Sequence, residues 1–191
     1  MVTGYRAADF GWQPEDITNR SHNPLFQLVR LNWVGPIEWE KGDKRPFDHN
    51  EPCLYILQRE HANAQQQMRI VYVGLTINPQ GRFINHPTAS DILGRRGKTF
   101  LSYAAVDFVT GRNREARTKG TLEQIEHLMI WALWPHLEND RKMFTLPGMG
   151  ANGGTAWQIQ NGGYRFQGQM PREIVYPWML VKRGRNRSAR T

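Results

Sequence analysis

A chain of 191 residues is long enough to bury a core of its own and too short for a second large domain beside it. Its 25 Lys and Arg against 17 Asp and Glu leave a formal charge of +8, which favours an anionic partner, nucleic acid being the commonest, and says nothing about fold. A single cysteine, Cys53, excludes an intramolecular disulfide and a thiolate-rich zinc site; Met1 to Trp12 lacks the apolar block of a secretory signal, and no run reaches the roughly eighteen apolar residues of a membrane span, so a cytoplasmic protein is expected.

Up to about Pro24 the chain is polar and punctuated by Gly, Pro and Asn, which reads as a loosely ordered arm. Leu25 to Val34 alternates enough for a strand, with Gly35-Pro36 as its end, and Lys41 to Pro52 is a charged loop. Cys53-Leu54-Tyr55-Ile56-Leu57 and Ile70-Val71-Tyr72-Val73-Gly74-Leu75-Thr76 are short, β-branched and aromatic, as buried strands are. They pair most economically as an antiparallel hairpin whose tip is the polar stretch Arg59 to Arg69. Asn78-Pro79 combines an N-cap with a proline at the first helical position, so a short helix carries Arg82, Phe83 and His86 until Pro87 stops it.

Thr99 to Val109 reads as a strand between two basic loops, one with Arg95, Arg96 and Lys98, the other with Arg112, Arg114 and Arg117. Thr121-Leu122-Glu123-Gln124 fits a capping box, opening a helix that runs to about Trp134 and ends at Pro135. Past Asn139 the chain is glycine-rich; Trp157 to Gln160 and Tyr164 to Phe166 flank Asn161-Gly162-Gly163 as a hairpin. A last apolar stretch, Ile174 to Val181, leads into a basic tail containing Lys182, Arg183 and Arg185. The order strand, strand, helix, strand, helix predicts an α+β fold with a small mixed sheet. Its divisions are an N-terminal arm and strand (1–50), a compact core (51–139) and a C-terminal extension (140–191).

Glu126 shares a helix face with Leu122, Met129, Ile130 and Leu133. A carboxylate on an apolar stripe needs a divalent cation, an arginine or a route to solvent. Glu123, one turn earlier, reads as an ordinary first-turn acid. Tyr55 and Tyr72, on strands proposed to be neighbours, either converge on one site or simply pack across the sheet. Arg82 and His86, four apart on a helix face, suit phosphate binding and proton transfer, or else form a solvated basic face.

In this order the residues resemble the GIY-YIG nuclease family. Cys53-Leu54-Tyr55 and Tyr72-Val73-Gly74 stand at the two name-giving elements; Arg82 lies eight residues after Gly74, His86 four further, Glu126 nine before Pro135, and Asn139 resembles the asparagine that follows the family's glutamate helix. The resemblance covers about residues 53–139 and departs in two places, Cys53 where the family has glycine and the longer connection Arg59 to Arg69. It implies a metal-dependent DNA endonuclease in which Glu126 holds Mg²⁺ or Mn²⁺, Tyr55 activates water, Tyr72 assists and Arg82 clamps the scissile phosphate. His86 relays a proton or binds phosphate, and Gly74 lets the backbone pass close to the site.

The compact chain resembles the family's standalone restriction endonucleases more than its repair or homing enzymes, and a homodimer on DNA would cut both strands. Arg95, Arg96, Lys98, Arg112, Arg114, Arg117, Lys182, Arg183 and Arg185 then line a groove against the DNA backbone, or else form a solvated surface. The alternatives are a structure-specific repair or homing-type nuclease, a non-catalytic nucleic-acid-binding module of the same fold and a basic assembly domain in which the tyrosines and Glu126 are structural.

Overall fold

The computed structural model describes residues 13–18, 21–60, 68–109, 119–143, 145, 156–176 and 180–182. Among these residues seven strands form one sheet: β1 (Gln27–Glu38), β2 (Cys53–Glu60), β3 (Arg69–Thr76), β4 (Lys98–Phe108), β5 (Trp157–Gly163), β6 (Glu173–Tyr176) and β7 (Leu180–Lys182). Their spatial order is β3-β2-β4-β1-β5-β6-β7, antiparallel throughout except for the parallel β1–β5 pair. Three α-helices lie among the described residues, α1 (Pro79–Arg82), α2 (Pro87–Gly94) and α3 (Lys119–Leu133). The fold is therefore α+β with a mixed sheet and flanking helices. No helix among the described residues is long and apolar enough to cross a membrane.

The centre of this arrangement is β2. Every residue from Cys53 to Arg59 is buried, because β3 and β4 pair with its two edges and both faces are covered. On one face Leu54 and Ile56 pack with Leu122, Ile125 and Met129 of α3. On the other, Tyr55 and Leu57 pack with Trp39, Phe83, Ala89 and Ile92. A strand buried on both faces needs no polar alternation, which is why Cys53 to Leu57 is a continuous apolar run. The β2–β3 hairpin forms as the sequence predicts, with Tyr55 opposite Gly74 and a register shift between Leu57 and Gln58.

Four sequence expectations need correction. Gly35-Pro36 does not end β1, which continues to Glu38; the register against β4 shifts between Val34 and Ile37, so the proline falls where the ladder is already interrupted. Gly35 has φ +136° and sits against Ser102, leaving no room for a β-carbon. Pro87 does not stop a helix but opens α2 at its first position, with His86 as N-cap, so α1 is a single turn. Thr121 does not cap α3, which already includes Lys119, and Gln124 instead accepts a hydrogen bond from Trp157 Nε1 at 3.1 Å.

The hairpin expected around Asn161-Gly162-Gly163 is also absent. These residues continue β5 alongside Leu31, Asn32 and Trp33 of β1, and the antiparallel partner of β5 is β6. The last apolar stretch, Ile174 to Val181, contributes to two strands, β6 ending at Tyr176 and β7 beginning at Leu180.

The edge of β3 is closed by the chain that follows α3. Glu138 N–H donates to the Val71 carbonyl at 2.7 Å, and the Asn139 side chain both accepts from Val73 N–H at 3.1 Å and donates to the Val73 carbonyl at 2.7 Å. One buried amide thus imitates a neighbouring strand and fixes the end of α3 against the sheet. Replacing Asn139 by Ala leaves a buried N–H and C=O without these partners, at a cost of about 2–3 kcal/mol. For a chain of this length that lowers the melting temperature by about 5–10 °C, readable by thermal unfolding.

Candidate active site

Tyr55, Tyr72, Arg82 and His86 come together through the hairpin and the two short helices. The pairing of Tyr55 with Gly74 is tight, because a β-carbon at residue 74 would fall inside the Tyr55 ring carbon Cζ and hydroxyl. The absence of a side chain there lets the Tyr55 ring lie flat along its neighbour strand. Phe83 meets the ring edge-on at a centroid distance of 5.1 Å, and Tyr72 lies 6.1 Å away. Arg82, the last residue of α1, donates from Nε to the Tyr55 hydroxyl at 3.2 Å. His86 reaches the same oxygen through Nε2 at 2.6 Å. Arg82 and His86 therefore do not share a helix face, as their spacing suggests; they sit on either side of a break between helices and still converge on one phenol.

The tautomer of His86 follows from its second bond. Nδ1 accepts the Ala89 amide at 3.3 Å, so the neutral ring carries its proton on Nε2 and donates it to Tyr55. Burial first, and then the Arg82 charge, push the His86 pKa down to about 4. His86 is thus a neutral donor that orients Tyr55, and the proton-relay role implied by the resemblance finds no free lone pair on its ring. Tyr55 Oη receives two N–H donors, which leaves its own proton to Tyr72, with which it interacts.

Tyr55 is fully buried, and burial, with a smaller contribution from Tyr72, holds its pKa well above the usual phenol value despite Arg82. It cannot by itself touch water. Tyr72 is half-buried and lines an open cleft; burial raises its pKa as well, with Arg82 opposing and Glu126 adding to the rise.

That cleft has a volume of about 640 Å³ and brings Tyr72, Arg82 and His86 to the same space as Glu126 on α3. Glu126 lies at the margin of the buried stripe of Leu122, Met129 and Ile130, as its spacing requires. Its partner is a lysine that sequence reasoning missed: Lys142 Nζ forms an ion pair and hydrogen bond with Glu126 Oε2, and donates to the Glu123 carbonyl at 3.2 Å. Lys119 and Arg141 line the same cleft. Lys119 carries a readable signal, standing four residues before Glu123 and pairing with it at 3.8 Å. Arg141 and Lys142 carry none, because the segment after α3 has no period from which its path could be inferred.

The cations singled out from sequence are placed differently. Arg95 pairs with Asp91 at 2.6 Å and Glu138 at 2.7 Å, and Lys98 with Glu38 at 3.0 Å, so both are charge-matched on the surface. Arg96 is exposed, and its carbonyl accepts a bond from the buried Arg59. Arg112, Arg114, Arg117, Arg183 and Arg185 lie outside the described residues, as does the side chain of Lys182.

A hard divalent cation fits the donor set of the cleft. Mg²⁺ takes one or two carboxylates and completes its octahedron with water and phosphate oxygens. Glu126 would supply one carboxylate at the cleft, and Glu123 and Asp140 line the same space. Among the described residues no cluster of three or more His, Cys, Asp or Glu gathers as a ready-made cage, so solvent and substrate would supply the other ligands. No family model, curated protein or solved structure matches the chain.

Two outcomes follow from this packing. Gly74→Ala forces the Tyr55 ring off its seat and costs about 1–3 kcal/mol, seen as a lower melting temperature. Below pH 6.5 an unfolded chain protonates His86 while the folded one resists down to about pH 4, so stability falls as pH drops through that window. Thermal unfolding at pH 7.5 and 4.5 should show a larger acid loss for the wild-type protein than for His86→Gln; equal losses would refute the buried neutral imidazole.

Proposed function

We propose that this protein is a metal-dependent DNA endonuclease of the GIY-YIG kind, with residues 51–139 as its catalytic core. One observation carries the reading: Tyr72, Arg82 and Glu126, from three separate elements, meet in one cleft that Lys119, Arg141 and Lys142 also line. A phosphodiester needs a positive clamp, a base for water and a site for charge neutralisation, and these residue types supply them. A divalent ion on Glu126, Mg²⁺ or Mn²⁺, would neutralise charge on the phosphate and on the leaving oxygen.

Arg82 is the phosphate clamp: it donates from Nε to Tyr55, hydrogen-bonds Tyr72 as well, and lines the cleft. The base is the coupled pair of phenols rather than Tyr55 alone. Tyr72 meets the water, and charge left on its oxygen is stabilised by the hydroxyl of Tyr55, whose oxygen receives N–H groups from His86 and Arg82 and whose proton goes to Tyr72. His86 is a positioning residue. DNA backbone follows the cations of the cleft, and base selection of the restriction type falls to the strands outside the core, with a homodimer cutting both strands. The Lys142–Glu126 ion pair favours one second reading, a binding module of the same fold without catalysis.

Supercoiled and linear DNA incubated with Mg²⁺, Mn²⁺ or chelator distinguishes the two. Metal-dependent fragments are expected, reduced at least about a hundred-fold by Tyr72→Phe, Tyr55→Phe, Arg82→Ala and Glu126→Gln while DNA binding is retained. The rate should climb with pH above 7, because burial keeps both phenols protonated at neutrality. Salt-sensitive binding without cleavage under every condition would support the binding module.

A further inference from the structure

We propose that Lys142 is the built-in counter-ion of Glu126, and that a divalent cation binds the cleft only by displacing it. The proposal rests on the reading of Glu126 as the metal-holding carboxylate and adds a competitor for that position within the chain itself. Lys142 Nζ already occupies one Glu126 oxygen and is anchored a second time by the Glu123 carbonyl. The side chains of this pair are only 27% and 15% exposed, whereas those of Lys98 and Glu38 are 60% and 46% exposed. An ammonium so placed is held by a weakly screened charge, unlike a surface lysine.

The backbone is committed to this placement. Lys142 has φ +67°, a left-handed conformation that is costly for any residue with a β-carbon. The segment beyond it is tied to α3, since the Thr145 carbonyl accepts from Trp131 Nε1 at 2.6 Å and is bonded by His127 Nε2 at 2.8 Å. Strain maintained by its surroundings in this way is characteristic of a functional position. Lys142 holds Oε2, and a divalent ion on either oxygen of the same carboxylate would bring two positive charges within a few ångströms of the ammonium, a repulsion that matches or exceeds its attraction to the single negative charge. The freed ammonium would be left in a cleft lined by Arg82, Lys119 and Arg141, the place for an incoming phosphate.

Manganese binding to the DNA-free protein, followed by the electron paramagnetic resonance of unbound Mn²⁺, tests this directly. Lys142→Met should bind Mn²⁺ at least about tenfold more tightly than wild type, and Glu126→Gln should abolish binding at this site. Equal affinities for wild type and Lys142→Met would overturn the proposal. A second measurement needs no variant: acylation of Lys142 in the wild-type protein, quantified by mass spectrometry, should be slow in chelator and faster in Mn²⁺. A rate indifferent to Mn²⁺ would overturn the proposal even if Lys142→Met failed to fold. Both experiments omit DNA, so competition without cleavage upholds the counter-ion while removing the nuclease reading, and cleavage without competition does the reverse.

Discussion

The Tyr55 ring lies against the one residue of the facing strand that has no side chain. Because Gly74 is directly opposite, the ring folds over the hairpin rather than standing away from it, and its hydroxyl arrives beside Tyr72. One wall of the cleft is referred to that oxygen. Arg82 ends α1 where its Nε reaches it, and His86 begins α2 where its Nε2 reaches it. Two helices too short to be stable alone are thereby given a shared tertiary anchor.

Burial and charge divide the labour of the site. The groups deepest in it, Tyr55 and His86, are both held neutral by desolvation, so they orient and donate rather than carry charge. The charged groups line the cleft, Arg82, Lys119, Arg141 and Lys142 together with Glu123, Glu126 and Asp140. The cleft is therefore of mixed sign, although the chain is strongly basic. Net charge predicts an anionic partner without locating it, since Arg95 and Lys98, in the basic segment most evident in the sequence, are matched by surface carboxylates.

The segment after α3 links the fold to the site. Glu138 and Asn139 complete the free edge of β3, and three residues later Lys142 turns back onto Glu126. Edge protection and the electrostatics of the cleft thus depend on one short irregular stretch.

By itself the sequence determined what depends on neighbours along the chain. The apolar runs of β2 and β3, the length of β4, the face of α3 that includes Glu126 and the Asn78-Pro79 helix start are all local signals, set by residue volume, period or backbone stereochemistry. Tertiary structure decided the rest. A bulge against β4 carries β1 through Gly35-Pro36, and His86 turns Pro87 from a stop into a start. The parallel pairing with β1 keeps Asn161-Gly162-Gly163 in a strand instead of a turn. The cation beside Glu126 comes from a segment with no periodicity, sixteen residues away along the chain. In each case the deciding partner is distant in sequence, and the free energy of burying and pairing backbone against it outweighs the local preference.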